Sequence, residues 1–84
     1  MNEAHHTPWP VQGARLGRKT AEDLFATYPS PSDTTVLRYL SAAGFALGNA
    51  MRRKGATLIE TEIALDALGD AYAERLDQLQ GADQ

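Results

Sequence analysis

The sequence predicts a small all-α domain of three helices: a long antiparallel helical hairpin, a short helix before it and an irregular N-terminal arm. Three observations predict it. Val36, Leu40, Ala43, Leu47, Ala50 and Met51 recur at spacings of three and four, which is one side of an α-helix. Leu58, Leu65, Tyr72 and Leu79 repeat every seven residues, with Thr61, Leu68 and Leu76 between them, so a second apolar seam follows the first. No segment reads as a strand, and neither an internal repeat nor a low-complexity tract interrupts the helical pattern.

The elements follow in chain order. Residues 1–18 hold Pro8 and Pro10 around Trp9, then Gly13 and Gly17, and read as an irregular arm, extended over His6 to Pro10 because proline fixes its own φ and restricts its neighbour. Trp9 on that arm either covers the core or is presented to a partner. A first helix is expected over 20–28, where Thr20, Glu22 and Asp23 put oxygens at the unsatisfied N–H groups and Leu24, Phe25 and Tyr28 supply an apolar side. Pro29 and Pro31 stop it, and Ser32 or Asp33 can cap the next helix. That helix, expected over 34–54, ends in Arg52, Arg53 and Lys54, which suit the negative end of the helix dipole, and Gly55 can adopt the left-handed closing conformation. Gly44 and Gly48 lie four apart inside it, and since each interior glycine costs about 1 kcal/mol relative to alanine, the pair predicts close packing there. Thr57 and Glu60 have capping-box spacing for a third helix over 58–80, and residues 81–84 read as a disordered tail. The short connection after Lys54 folds the second and third helices into the hairpin, with the first lying across it.

Composition excludes several kinds of chemistry. The chain has 84 residues and no cysteine, which removes disulfides, thiolate metal sites and cysteine nucleophiles. His5 and His6 are adjacent in the arm beside Glu3 and present no fixed ligand geometry, so no metal and no cofactor is expected. No histidine is placed to activate a serine or threonine, the carboxylates look like a solvated helix face, and no glycine-rich loop precedes a basic residue in a phosphate cradle. The expectation is that the chain is not an enzyme. No apolar run reaches the roughly 18 residues of a membrane span, and the start lacks the basic-then-apolar pattern of a signal peptide, so a cytoplasmic protein with no membrane partner is expected.

Charge is divided along the chain. Residues 1–54 carry seven basic and four acidic side chains, a balance of +3, whereas residues 55–84 carry one basic and seven acidic, a balance of −6. Either the two parts attract each other within the fold, or one faces a partner of opposite sign.

Two surface positions point to protein recognition. Turning about 100° per residue along the second helix, Arg38, Ser41, Asn49 and Arg52 gather opposite the apolar side and Phe45 falls among them. Phe45 is either covered by the Trp9 arm or an aromatic anchor with a polar rim. On the third helix Glu62, Asp66, Asp70, Glu74 and Asp77 form an acidic stripe around Ile63. Like charges four apart cost a few tenths of a kcal/mol, so the stripe serves solubility or steers association with a basic groove, even one built for nucleic acid. The reading that follows is a non-enzymatic interaction module that binds and modulates a larger protein or assembly, as an accessory subunit or small inhibitor. Trp9, Arg38, Phe45, Arg52, Glu62, Ile63, Asp66, Asp70 and Glu74 are its candidate partner-binding residues. Nucleic acid ranks behind it: Arg15, Arg18, Lys19 and Arg52 to Lys54 suit a small homodimeric DNA-binding regulator, but the acidic helix would repel a phosphate backbone. Homo-oligomerisation through Gly44, Gly48 and the heptad seam is the third reading.

Overall fold

A computed structural model describes residues 7–81 as three helices, α1 (Trp9–Thr27), α2 (Asp33–Arg53) and α3 (Leu58–Gly81), with no strand among the described residues. The all-α three-helix architecture is as the periodicity predicts. Residues 1–6 and 82–84, the first part of the expected arm and most of the expected tail, lie outside the described residues, and Gly81 is the last residue of α3.

The caps of α2 and α3 form where the sequence puts them. Ser32 accepts the Thr35 N–H on its Oγ at 3.2 Å. At the other end of α2, Gly55 takes φ +80°, its N–H reaches the Arg52 carbonyl at 3.1 Å and the Ala56 N–H reaches the Met51 carbonyl at 3.0 Å. That double bond pattern is a Schellman closure, which satisfies carbonyls the helix itself leaves open. Two residues later the Thr57 Oγ1 accepts the Glu60 N–H at 3.1 Å while the Glu60 carboxylate accepts the Thr57 N–H at 2.7 Å. This reciprocal pair starts α3 and turns the chain back on itself.

The first helix differs from expectation. It begins at Trp9 and runs for 19 residues, so the segment read as an irregular arm is helical from its ninth residue onward. Prolines 8 and 10 are compatible with this because they occupy the N-cap and the first turn, where the missing N–H would have had no partner. Thr20 is not a cap but a buried residue in the middle of α1, with its hydroxyl donating to the Leu16 carbonyl at 2.7 Å.

Nor does α1 lie across the hairpin. It forms the closest pair in the molecule with α3 and runs parallel to it, with Gly13 beside Ala64, Gly17 beside Leu68 and Tyr72, and Glu22 beside Arg75. Helix α2 is antiparallel to both. The reason for the close pairing is that Gly13 and Gly17 carry no Cβ: one added at Gly13 would overlap the Ala64 carbonyl oxygen, and one at Gly17 the Leu68 carbonyl oxygen. The two backbones touch, and the glycine Cα–H groups point at those carbonyls in the manner of weak Cα–H···O contacts.

Two apolar clusters hold α2 onto this pair. One joins Ala43, Leu47 and Met51 of α2 to Ala64 and Leu68 of α3, with Trp9 and Leu16 of α1 packed on it. The other joins Ala21 and Leu24 of α1 to Tyr72 of α3, with Val36, Tyr39, Leu76 and Leu79 around it. The Tyr72 hydroxyl donates to the Val36 carbonyl at 2.7 Å, a single long-range hydrogen bond that ties α3 to the start of α2.

Candidate docking surfaces

Helix α2 presents two unlike sides. Ala43, Leu47 and Met51 face the core. Opposite them, Ser41, Gly44, Phe45, Gly48, Asn49 and Arg52 line an open groove of about 610 Å³, which Leu58, Thr61 and Leu65 of α3 and Ala56 of the turn close on the far side. The glycines leave its floor open. A Cβ added at Gly48 would meet nothing within 4 Å, and one at Gly44 only the Leu65 Cδ2 at 3.8 Å. The close packing that the Gly44 and Gly48 spacing predicts is therefore not made among the described residues.

Phe45 stands 73% exposed on the lip of this groove, with Leu58 across from it 78% exposed. No part of the arm among the described residues covers Phe45. Leu58 belongs to the predicted heptad seam, yet only the later members face inward: Tyr72 is buried and Leu65 and Leu79 half-buried. Leu58 escapes because it is the first residue of α3 and borders the open groove instead of the core. Ile59 and Ile63 follow it at 69% and 51% exposure. Burying a side chain of this size is worth about 1.5–3 kcal/mol, so four of them left outside in one half of the bundle forgo a gain that a partner could recover.

The candidate residues separate into three places. Phe45 and Arg52 share the groove. Trp9 and Ile63 share a hollow of about 330 Å³ with Pro8, Pro10 and Glu60, so Ile63 neighbours the start of α1 as well as the acidic stripe. Trp9 is half-buried on the first core cluster, as the first residue of α1 and not on an extended segment. Arg38 lies apart from both, in a hollow of about 370 Å³ between α1 and α2 with Leu16, Thr20 and Tyr39. The carboxylates of Glu62, Asp66, Asp70, Glu74 and Asp77 are exposed and line none of the three concavities described.

Electrostatics decide how the divided charge is used. Among the described residues the ion pairs are Lys19 with Asp23 along α1, and Arg75 with Glu22 between α3 and α1. The second pair takes its cation from the acidic half and its anion from the basic half, opposite to what attraction between the halves requires. No basic side chain of α1 or α2 is paired with the acidic stripe among the described residues, and the Arg52 guanidinium has no partner there either. Both sets of charge face outward.

Little in the interior suggests chemistry. The hydroxyls of Thr20, Thr27 and Thr61 bond backbone carbonyls one turn back, and those of Ser32 and Thr57 serve caps. Burial pushes the Tyr72 phenol above its ordinary pKa, and Tyr39 nearby adds to the effect. His5 and His6 lie outside the described residues. No helix among the described residues is long and apolar enough to cross a membrane. No family model, curated protein or solved structure matches the chain.

Sequence reasoning missed Leu58 and Ile59 as surface residues, because a seven-residue period marks a side of a helix without saying where along it the partner stops. The capping box held the missing signal: residues in the turn directly after Thr57 stand at the end of the bundle.

Proposed function

We propose that this chain is a non-enzymatic, cytoplasmic interaction module that binds a larger protein or assembly and modulates it, as an accessory subunit or small inhibitor. The observation that carries this reading is the exposure of Phe45, Leu58, Ile59 and Ile63 in one half of the bundle beside charges that form no ion pair among the described residues. Apolar side chains rimmed by charge are the anatomy of a recognition surface: the apolar centre holds, and the charged rim steers and selects. The acidic flank of α3 suits a basic partner surface, a groove for nucleic acid among them.

The reading is tested with Phe45→Ala and Ile63→Asp. Both side chains are mostly outside, so thermal unfolding should stay within about 0.5 kcal/mol of the parent, while capture of a partner from cell extract falls sharply. Unchanged capture with both variants would overturn it, as would a large loss of stability in both.

A second reading, a homodimeric DNA-binding regulator, draws on Arg52, Arg53 and Lys54, which are exposed and without ion pairs among the described residues. It requires a salt-sensitive shift of duplex DNA. No shift at low salt removes it.

A further inference from the structure

The groove-facing stripe of α2 is symmetric in its spacing. Ser41, Gly44, Phe45, Gly48, Asn49 and Arg52 follow one another at intervals of three, one, three, one and three residues, which read the same in either direction. Turned end to end about the point between residues 46 and 47, the stripe sets Phe45 against Gly48, Asn49 against Gly44 and Arg52 against Ser41. Each large side chain meets a small one. Beyond these, Leu37, also largely exposed, falls opposite Ala56 next to the exposed Leu58.

We infer that a second copy of this chain covers the groove, with the two α2 helices antiparallel about a two-fold axis and each Phe45 ring seated over the other copy's Gly48. The inference rests on reading the surroundings of Phe45 as a docking surface, and it names the occupant. A two-fold interface must be self-complementary, because each residue that reaches across is reached in return; a stripe whose large and small positions exchange on reversal meets that demand, and a heterologous helix would not require it. Charge limits the arrangement: Arg52 falls opposite Ser41, but Arg38, which lines the hollow between α1 and α2, falls opposite Gly55 and within about one turn of the other copy's Arg52, so the dimer should tighten as salt screens the like charges. Asp33 is the only acidic residue in α2, and the carboxylate stripe of α3 lies outside the groove.

The area available sets the strength. Phe45, Leu37 and Leu58, with the stem of Arg52, offer on the order of 100 Å² each. That gives each copy on the order of 400 Å², short of the roughly 800 Å² per partner of a standard interface, so the dimer is weak. The groove also explains Gly48, a helix-interior glycine at which an added Cβ would meet nothing within 4 Å among the described residues. A dimer built this way leaves two acidic α3 flanks free for a larger partner.

Sedimentation of the full chain from low micromolar to near-millimolar concentration tests this. The expected result is a rise from the 9.1 kDa monomer to twice that mass, with Phe45→Asp monomeric throughout and Gly48→Leu dimerising at least tenfold more weakly while its helical circular dichroism and melting temperature hold. The chain lacks cysteine, so mixed Ser41→Cys and Arg52→Cys chains should form a disulfide with each other far more readily than either does alone. A wild type that stays monomeric overturns the second copy, and a loss of partner capture by Phe45→Ala would then assign the groove to another protein and leave the docking reading intact. A dimer indifferent to both variants, or one in which like cysteines pair, overturns the inference as well.

Discussion

Two glycine pairs with the same spacing have opposite uses in this molecule. Gly13 and Gly17 of α1 lie against the α3 backbone, and the space a side chain would need is taken by the carbonyl oxygens of Ala64 and Leu68. Gly44 and Gly48 of α2 face an open groove in which the nearest atom is a side-chain methyl of Leu65. Each interior glycine gives up about 1 kcal/mol of helix propensity relative to alanine. In α1 the loss is offset at once by the closest helix pair in the fold. In α2 nothing among the described residues offsets it, and this contrast locates where the molecule is closed and where it is open.

The largest expected effect breaks the comparison at its closed end. Gly17→Ala puts a methyl group into the Leu68 carbonyl and within 3.0 Å of the Tyr72 nitrogen, both backbone atoms that cannot rotate away. The helices must separate, loosening Leu24 and Tyr72 behind them. Denaturant unfolding should show a loss of about 2–4 kcal/mol, and Gly13→Ala should behave alike. A loss under about 0.5 kcal/mol would mean that the α1–α3 contact yields easily and that the glycines there are no more committed than those of α2.

What was legible in the sequence divides along the same line. Helices α2 and α3 are readable because their signals are local: the Ser32 cap, the Gly55 closure and the Thr57–Glu60 box each act within five residues, and all three form. The start of α1 is not, because Pro8, Pro10, Gly13 and Gly17 are breakers by propensity and only the tertiary contact with α3 makes them helical. A weaker signal was present. Gly13, Gly17, Thr20, Ala21 and Leu24 are the buried residues of α1 and fall at steps of four, three, one and three, a helical stripe of mostly small side chains. The site was half legible in the same way: helix geometry puts Phe45 and Arg52 together, but whether Phe45 is covered depends on where α1 lies, and that is a tertiary fact.

The attachment of α2 sharpens the comparison further, since it has no glycine contact with its neighbours and leans on two apolar clusters and the Tyr72 hydroxyl. Tyr72 is 2% exposed, and Tyr72→Phe strips a hydrogen bond while keeping the ring, at an expected cost of about 1 kcal/mol. It should also change the alkaline limb of stability. Because burial raises the phenol's pKa in the fold, the neutral form is favoured there, and the contribution is fully present below about 10, the unfolded tyrosine value. It is lost as pH rises through the higher folded value. Unfolding followed on both sides of that value should show a steeper loss in the wild type than in Tyr72→Phe; parallel curves would assign the alkaline loss to other groups.

At the open end the sign reverses. Gly48→Ala adds a methyl group to a space where nothing lies within 4 Å and removes backbone entropy from the unfolded chain. Thermal unfolding of dilute protein should show a gain of about 0.5–1 kcal/mol. A substitution that stabilises the fold where Gly17→Ala wrecks it would separate the two pairs by sign as well as size. A loss at Gly48 would instead show that α2 sits closer to a neighbour in solution than the groove allows.

The smallest effect concerns what does not hold α1 to α3. Arg75 Nε donates to the Glu22 carboxylate at 3.0 Å and its Nη1 to the Gln78 side chain at 3.0 Å, yet the Arg75 and Glu22 side chains are 32% and 50% exposed. Water screens such a pair, and ordering two long side chains cancels much of the attraction, so exposed pairs are worth about 0–1 kcal/mol. Glu22→Gln should therefore cost about 0.5 kcal/mol or less, a difference that shrinks further in high salt. Should it instead approach the effect of Gly17→Ala, the parallel helices would be joined by charge at one end and not by backbone contact along the first half of α1. The meaning assigned to the Gly13 and Gly17 spacing would then have to be withdrawn, and with it the ground for treating the unfilled Gly44 and Gly48 pair as a contact awaiting its other side.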